Sequence, residues 1–128
     1  MKRLFIVICG FFCIGLALAQ TNPFADRLPE AAREGEELFG RNCQQCHNSR
    51  GKGGKAPQLV SGVWGPGGAN SDSYMYQVIT TGRPNTAMGS FKSSLTEEDI
   101  WRIISFLREE GRRVKAAEAK NKDTYVPW

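Results

Sequence analysis

Cys43-Gln44-Gln45-Cys46-His47 is the stretch that decides how the rest of this chain is read. Two cysteines three apart put both sulfurs on one side of a single turn, and a histidine follows at once. This spacing reads as a c-type haem attachment site. Two thiols add across the two vinyl groups on one edge of the porphyrin, and the adjacent imidazole then faces the iron from the proximal side. Three points fixed on five residues leave a flat ligand little freedom. Other uses of the motif fit less well. A structural zinc site wants four ligands, but the remaining cysteines are Cys9 and Cys13 near the N-terminus, and His47 is the only histidine. A thioredoxin-like pair belongs near a βαβ pattern, and none is visible. A plain disulfide would leave His47 without a role.

The start of the chain is read as a targeting segment. Met1-Lys2-Arg3 is basic, Leu4 to Leu18 is almost wholly apolar, and Ala17-Leu18-Ala19 offers a small-x-small cleavage site. The apolar run is short of the ~20 residues that span a bilayer, so removal after Ala19 is expected, with no lasting membrane anchor. Cys9 and Cys13 leave with it. Thioether attachment takes place outside the cytoplasmic membrane, so export fits the motif, and the bacterial look of the signal points to the periplasm. Removing Lys2 and Arg3 from the 17 basic residues leaves 15 against 13 acidic ones, a net charge of +2. That is no nucleic-acid footprint.

In the mature chain, Gln20 to Leu28 lacks periodicity and reads as an extended lead-in. Pro29 suits the first position of a helix, and Glu30 and Glu34 favour its positive end. Ala31, Gly35, Leu38 and Phe39 form an apolar stripe at helical steps, which predicts a helix over about 30–42 running into Cys43. Gly35 costs a helix about 1 kcal/mol against alanine, so a second helix is expected to cross closely there. Asn48 to Gly54 is glycine-rich loop. Pro57 offers a carbonyl to His47 Nδ1–H, the bond a ligating imidazole needs, and Leu59 is expected to pack on the haem edge. Ser61 to Asn70 is a second loop. Its Trp64 is read as partly buried by the haem, with the indole N–H in reach of a propionate.

Ser71 or Asp72 is the expected N-cap of a short helix through Tyr74, Met75, Val78 and Ile79, ended by Gly82. A low-spin haem in an electron carrier needs a sixth ligand, and a thioether is the choice when no second histidine exists. Met75 lies in an apolar helical pattern and belongs to the core. Met88 lies in the loop from Gly82 to Gly89 and is the expected ligand. Thr96 and Asp99 resemble a capping box opening the last helix. Its apolar face is Ile100, Trp101, Ile103, Ile104, Phe106 and Leu107, with Arg102, Arg108, Glu109 and Glu110 outside it. Phe106 should meet Phe39 where the helices cross. Gly111 is a possible stop, and Arg112 to Trp128 reads as a charged, mobile tail whose middle has the composition to extend the helix.

With Gly35 and Phe39 before the motif and Pro57–Leu59, Met88, Phe91 and the Phe106-Leu107 pair after it, the chain resembles the class I cytochromes c. The resemblance covers about residues 30–110. It implies an all-α fold of three to five helices around one covalently bound haem c, with thioethers at Cys43 and Cys46 and iron held by His47 and Met88. One departure is Gly89, where the family often has proline after the ligand methionine; it leaves the distal loop less rigid. The chain then divides into a signal peptide (1–19), an N-terminal lead-in (20–29), a cytochrome c domain (30–111) and a charged C-terminal tail (112–128). A finer likeness runs through Val63-Trp64-Gly65, Asp72 to Thr81 and Ile100 to Ile104. There the chain looks similar to small cytochromes that serve quinoprotein alcohol dehydrogenases.

The function expected is a periplasmic, monomeric one-electron carrier that is not itself an enzyme. Its partners would be redox proteins: a PQQ-dependent dehydrogenase as donor and another cytochrome or an oxidase as acceptor. Two other classes stay open on the sequence. One is a haem enzyme or gas sensor with a vacant sixth position, and the other is a haem subunit bound within a larger oxidoreductase.

Overall fold

Pro29 sits in the first turn of α1, Leu28–Asn42, where its missing N–H costs nothing. Glu30 lies in that turn and Arg41 in the last, each at the end of the helix dipole that suits its charge. A computed structural model describes residues 21–62 and 70–123. The expectations for the signal peptide, for Trp64 and for the aromatic end at Tyr125–Trp128 lie outside the described residues. After α1 come the single turn α2, Gln44–His47, a 3-10 turn at Ser49–Gly51, α3 at Asp72–Thr81 and α4 at Glu97–Asp123. The described residues are helix, turn and loop throughout, as an all-α fold requires. Among them no helix is long and apolar enough to cross a membrane.

Helices α3 and α4 are capped as their sequences ask. Ser71 Oγ accepts from Tyr74 N–H at 3.1 Å at the head of α3. At the head of α4, Thr96 N–H donates to Asp99 Oδ2 at 3.0 Å and Asp99 N–H to Thr96 Oγ1 at 3.1 Å. That is a reciprocal capping box with aspartate in the place usually taken by Glu or Gln.

Helices α1 and α4 pack at Gly35. A Cβ built there would lie 2.0 Å from Arg102 O and 3.0 Å from Phe106 Cβ. No side chain fits, so the missing Cβ is what lets the two backbones meet. One turn on, Phe39 and Phe106 touch with ring centroids 5.3 Å apart and planes tilted by 48°. Tyr76 of α3 stacks on Trp101 of α4 at 4.7 Å. Around these pairs Ala31, Met75, Ile79, Ile100, Ile103, Ile104 and Leu107 close the core.

The structure departs from the sequence reading in three places. The lead-in is tied down, not extended: Phe24 is core, and buried Asn22 donates through Nδ2 to Ser105 Oγ at 2.9 Å. Helix α4 does not stop at Gly111 but runs to Asp123, so much of the segment read as a tail is helix. Gly111 lies against the chain at Val60, whose carbonyl oxygen would be 3.1 Å from a Cβ. Finally, Glu110 is not on the solvent side. It is 1% exposed and paired with Arg50 and Arg113. Burial alone would raise its pKa, but the hydrogen bonds from Arg113 and Arg50 outweigh that and hold the carboxyl at about 2.

Two outcomes follow from this packing. Gly35→Ala gains about 1 kcal/mol of helix propensity yet inserts a methyl into backbone. Overpacking of about 1–3 kcal/mol or more should win, and a lower denaturant midpoint of the haem-loaded protein checks it. Glu110 has a folded pKa below its ordinary 4.5, so its contribution is present above that value and is lost as pH falls toward 2. Glu110→Gln should cost on the order of 3 kcal/mol at pH 7. Denaturation at a series of pH values should show the gap to wild type closing below about 4.5.

Candidate functional site

Helix α1 ends by handing its last carbonyls to the motif. Cys43 N–H donates to Phe39 O at 2.9 Å, and the turn closes with Cys46 N–H at 3.2 Å and His47 N–H at 3.0 Å from Cys43 O. Because Phe39 is fixed against Phe106, the motif inherits its position from the α1–α4 crossing. The two thiols are not joined to each other. Cys43 is half-buried at the edge of the core and Cys46 is exposed. Burial, helped by the neighbouring Cys46, pushes the Cys43 thiol up to about 12. A redox dithiol or a thiolate metal ligand works the other way, through a lowered pKa. Among the described residues no group of three or more His, Cys, Asp and Glu is placed to hold a metal ion. The zinc reading of the motif therefore lacks its four ligands among the described residues.

His47 Nδ1 lies 2.8 Å from Pro57 O, the contact expected from the sequence. A carbonyl can only accept, so Nδ1 carries a proton; in the neutral imidazole that leaves the lone pair on Nε2, the nitrogen that ligates a metal. The loop between them is closed on the motif itself. Gly53 N–H donates to His47 O and Ala56 N–H to Cys46 O, both at 2.9 Å, and Leu59 N–H donates to Gly51 O at 2.8 Å.

The distal loop starts at Gly82, with φ +76°. A Cβ at that residue would sit 2.7 Å from Met88 O and from Gly89 C, so only glycine lets the loop fold back on the end of α3. Arg83 N–H donates to Met88 O at 2.9 Å, and Thr86 Oγ1 donates to Arg83 O at 2.9 Å while accepting from Met88 N–H at 3.2 Å. Beyond Met88, Ser90 Oγ donates to Thr80 O at 2.6 Å and Phe91 N–H to Ile79 O at 3.2 Å. The rigidity that proline would lend after Met88 is supplied by these bonds. Sequence reasoning missed the part played by Thr86. A threonine two residues before the methionine is the signal for such a side-chain turn. Met88 is half-buried against the core, whereas Met75 is 1% exposed and fully packed inside it.

Leu59 also packs on the core and stays partly uncovered, as do Leu38, Phe91 and Leu95. The donor set fits haem c: two unpaired thiols three residues apart on one turn, an imidazole bound through Nδ1 to a carbonyl, a thioether on a braced loop, and apolar side chains left incompletely covered. Bound there, haem c supplies a one-electron iron couple. Cys43 and Cys46 would tether it, His47 and Met88 would face its iron, and Leu59 would cover an edge. A cavity of about 500 Å³ opens beside Leu59, Met75 and Leu107, next to Arg108 and Lys115. Of the described candidate site residues only Leu59 lines it, so it is not the space defined by the sulfurs and the imidazole.

Comparison with known proteins gives the family. The family model described as cytochrome c oxidase, cbb3-type, subunit III matches residues 30–107. Cytochrome c55X of Stutzerimonas stutzeri is 32% identical over 109 residues, which is 85% of this chain and 89% of that protein. The cbb3-type oxidase subunit CcoP of Rubrivivax gelatinosus is 31% identical over 80 residues, 62% of this chain but 26% of that subunit. Among solved structures, cytochrome cL from the marine methylotroph Methylophaga aminisulfidivorans superposes with a TM-score of 0.59 at 23% identity, covering 77% of this chain and 70% of that one. At that identity the likeness speaks for the fold alone. The chain thus belongs to the cbb3-type subunit III family of cytochrome c domains, as a class I cytochrome c that carries electrons on one covalently bound haem c.

Proposed function

We propose that this cytochrome is an exported, periplasmic shuttle in which His47 and Met88 are the permanent axial ligands. The observation that carries the reading is that both candidate ligands are braced by hydrogen bonds. His47 is held by Pro57 O and Met88 by Thr86 and Arg83. Two ligands that stay in place in both oxidation states keep reorganisation small, which suits an electron carrier and leaves no position for a substrate. Met/His ligation also raises the reduction potential. This favours the carrier over the enzyme or sensor with an open sixth position.

The donor in this proposal is a quinoprotein (PQQ) alcohol dehydrogenase, and the acceptor is another cytochrome or an oxidase. The donor is supported by the sequence likeness through Asp72 to Thr81 and Ile100 to Ile104, and an oxidase acceptor by the similarity to CcoP. Encounters of this kind have small interfaces, in keeping with a free monomer. The basic start, apolar run and small-residue site at Ala17-Leu18-Ala19 support export. A second reading, a haem subunit held within a larger oxidoreductase, is favoured by one fact: the relative CcoP is itself an oxidase subunit of which this chain spans about a quarter.

Stopped-flow mixing of the oxidised, purified cytochrome with candidate periplasmic dehydrogenases tests the donor. Rapid reduction by a quinoprotein alcohol dehydrogenase, slowed by salt, is expected. Slow reduction by that enzyme beside rapid reduction by another donor would remove the donor and leave the carrier. Co-elution with a dehydrogenase or oxidase through purification would favour the bound subunit.

A further inference from the structure

The turn that follows His47 breaks a local rule. Asn48 has φ +61° and ψ 173°, Arg50 has φ +57° and Gly51 φ +70°. The stretch is rich in glycine, yet two of the positions that favour glycine carry other residues. Such backbone is costly for a residue that carries a side chain and persists only where the surroundings hold it. Arg50 shows what does the holding. One guanidinium nitrogen donates to Glu110 Oε2 at 2.5 Å and the other to Glu36 Oε1. Glu110 is buried in the middle of α4, and Arg113 donates to the same carboxylate at 2.9 Å. Glycine at position 50 would relieve the backbone but could not reach α4.

The turn so held sets the place of the imidazole's partner. Gly51 is buried beside Leu107 and Val60, and its carbonyl accepts from Leu59 N–H. Ala56 N–H is bound to Cys46 O. Pro57 lies between those two bonds, so the position of its carbonyl depends on where Arg50 and Gly51 stand.

We infer that Glu110 and Arg50 are positioning residues for the haem ligand, clamping the turn after His47 to α4 so that Pro57 O is held on His47 Nδ1–H and the reduction potential is kept down. The inference rests on His47 as the proximal ligand. A tight Nδ1–H···O bond makes the imidazole a better electron donor and so stabilises the oxidised iron. Slackening it should raise the potential.

The sign of the shift separates this role from simple charge. Removing the negative Glu110 raises a potential through charge alone, and removing the positive Arg50 lowers it. The clamp predicts that Glu110→Gln and Arg50→Met both raise it, in the haem-loaded protein, and that both speed exchange of the His47 Nδ1 proton seen by NMR. Glu110→Asp keeps the charge, withdraws the carboxylate by one methylene, and should also raise the potential; it serves if the other variants fail to mature. Shifts of opposite sign, or a lowered stability with the potential of Glu110→Asp unmoved, would overturn the clamp. His47 ring protons without haem-induced shifts in the wild-type spectrum would overturn the ligand itself, and the clamp with it.

Discussion

Two backbones in contact at Gly35 hold the rest of the molecule to its shape. With no Cβ between them, α1 rests on the carbonyl of Arg102 and Phe39 reaches the ring of Phe106 one turn later. That fixes the last turn of α1, whose Phe39 carbonyl receives the N–H of Cys43. It also fixes the level on α4 at which Leu107 faces the loop at Gly51 and Val60. The haem motif is therefore placed by a helix crossing several residues away. Its own five residues need only form a turn.

The loop that carries Pro57, the partner of His47, and the loop that carries Met88 are then finished by backbone hydrogen bonds, helped by the side chains of Arg50, Thr86 and Ser90. On one side the loop from Asn48 to Leu59 closes back on Cys46, His47 and Gly51. On the other, the loop from Gly82 to Phe91 closes back on the end of α3. A loop closed in this way can present a side chain at its tip without a large core beneath it. The cofactor supplies the missing core. Burying its apolar faces at roughly 25 cal/mol per Å² helps a short chain that has few elements of its own to fold.

Much of this was legible from local signals. Pro29, the Ser71 cap, the Thr96–Asp99 box and the Gly82 stop are read within one turn of chain. Gly35 gave away the crossing because an interior glycine in an otherwise regular helix asks for a reason. Pro57 gave away the imidazole's partner for the same kind of reason, since a ligating histidine needs an acceptor. What stayed hidden depends on distant or summed effects. Glu110 reads as solvent-facing on its own helix, because the Arg50 that justifies its burial lies 60 residues away in a loop. Asn22 looks idle until Ser105, 83 residues on, is seen opposite it. Helix α4 passes Gly111 because one glycine costs only about 1 kcal/mol, and Arg112 and Arg113 pair with Glu109 and Glu110 one turn back.

In the proposed carrier the iron is closed on one face by His47 and on the other by Met88. The visible spectrum of the oxidised protein tests it most directly, read beside Met88→Ala and Met75→Ala. A thioether-to-iron band at the far red end is expected in wild type and in Met75→Ala. In Met88→Ala the band is lost, the potential falls, and exogenous ligands bind. A wild-type spectrum that is high-spin and takes up carbon monoxide at once, or a band that survives in Met88→Ala and disappears in Met75→Ala, would contradict it.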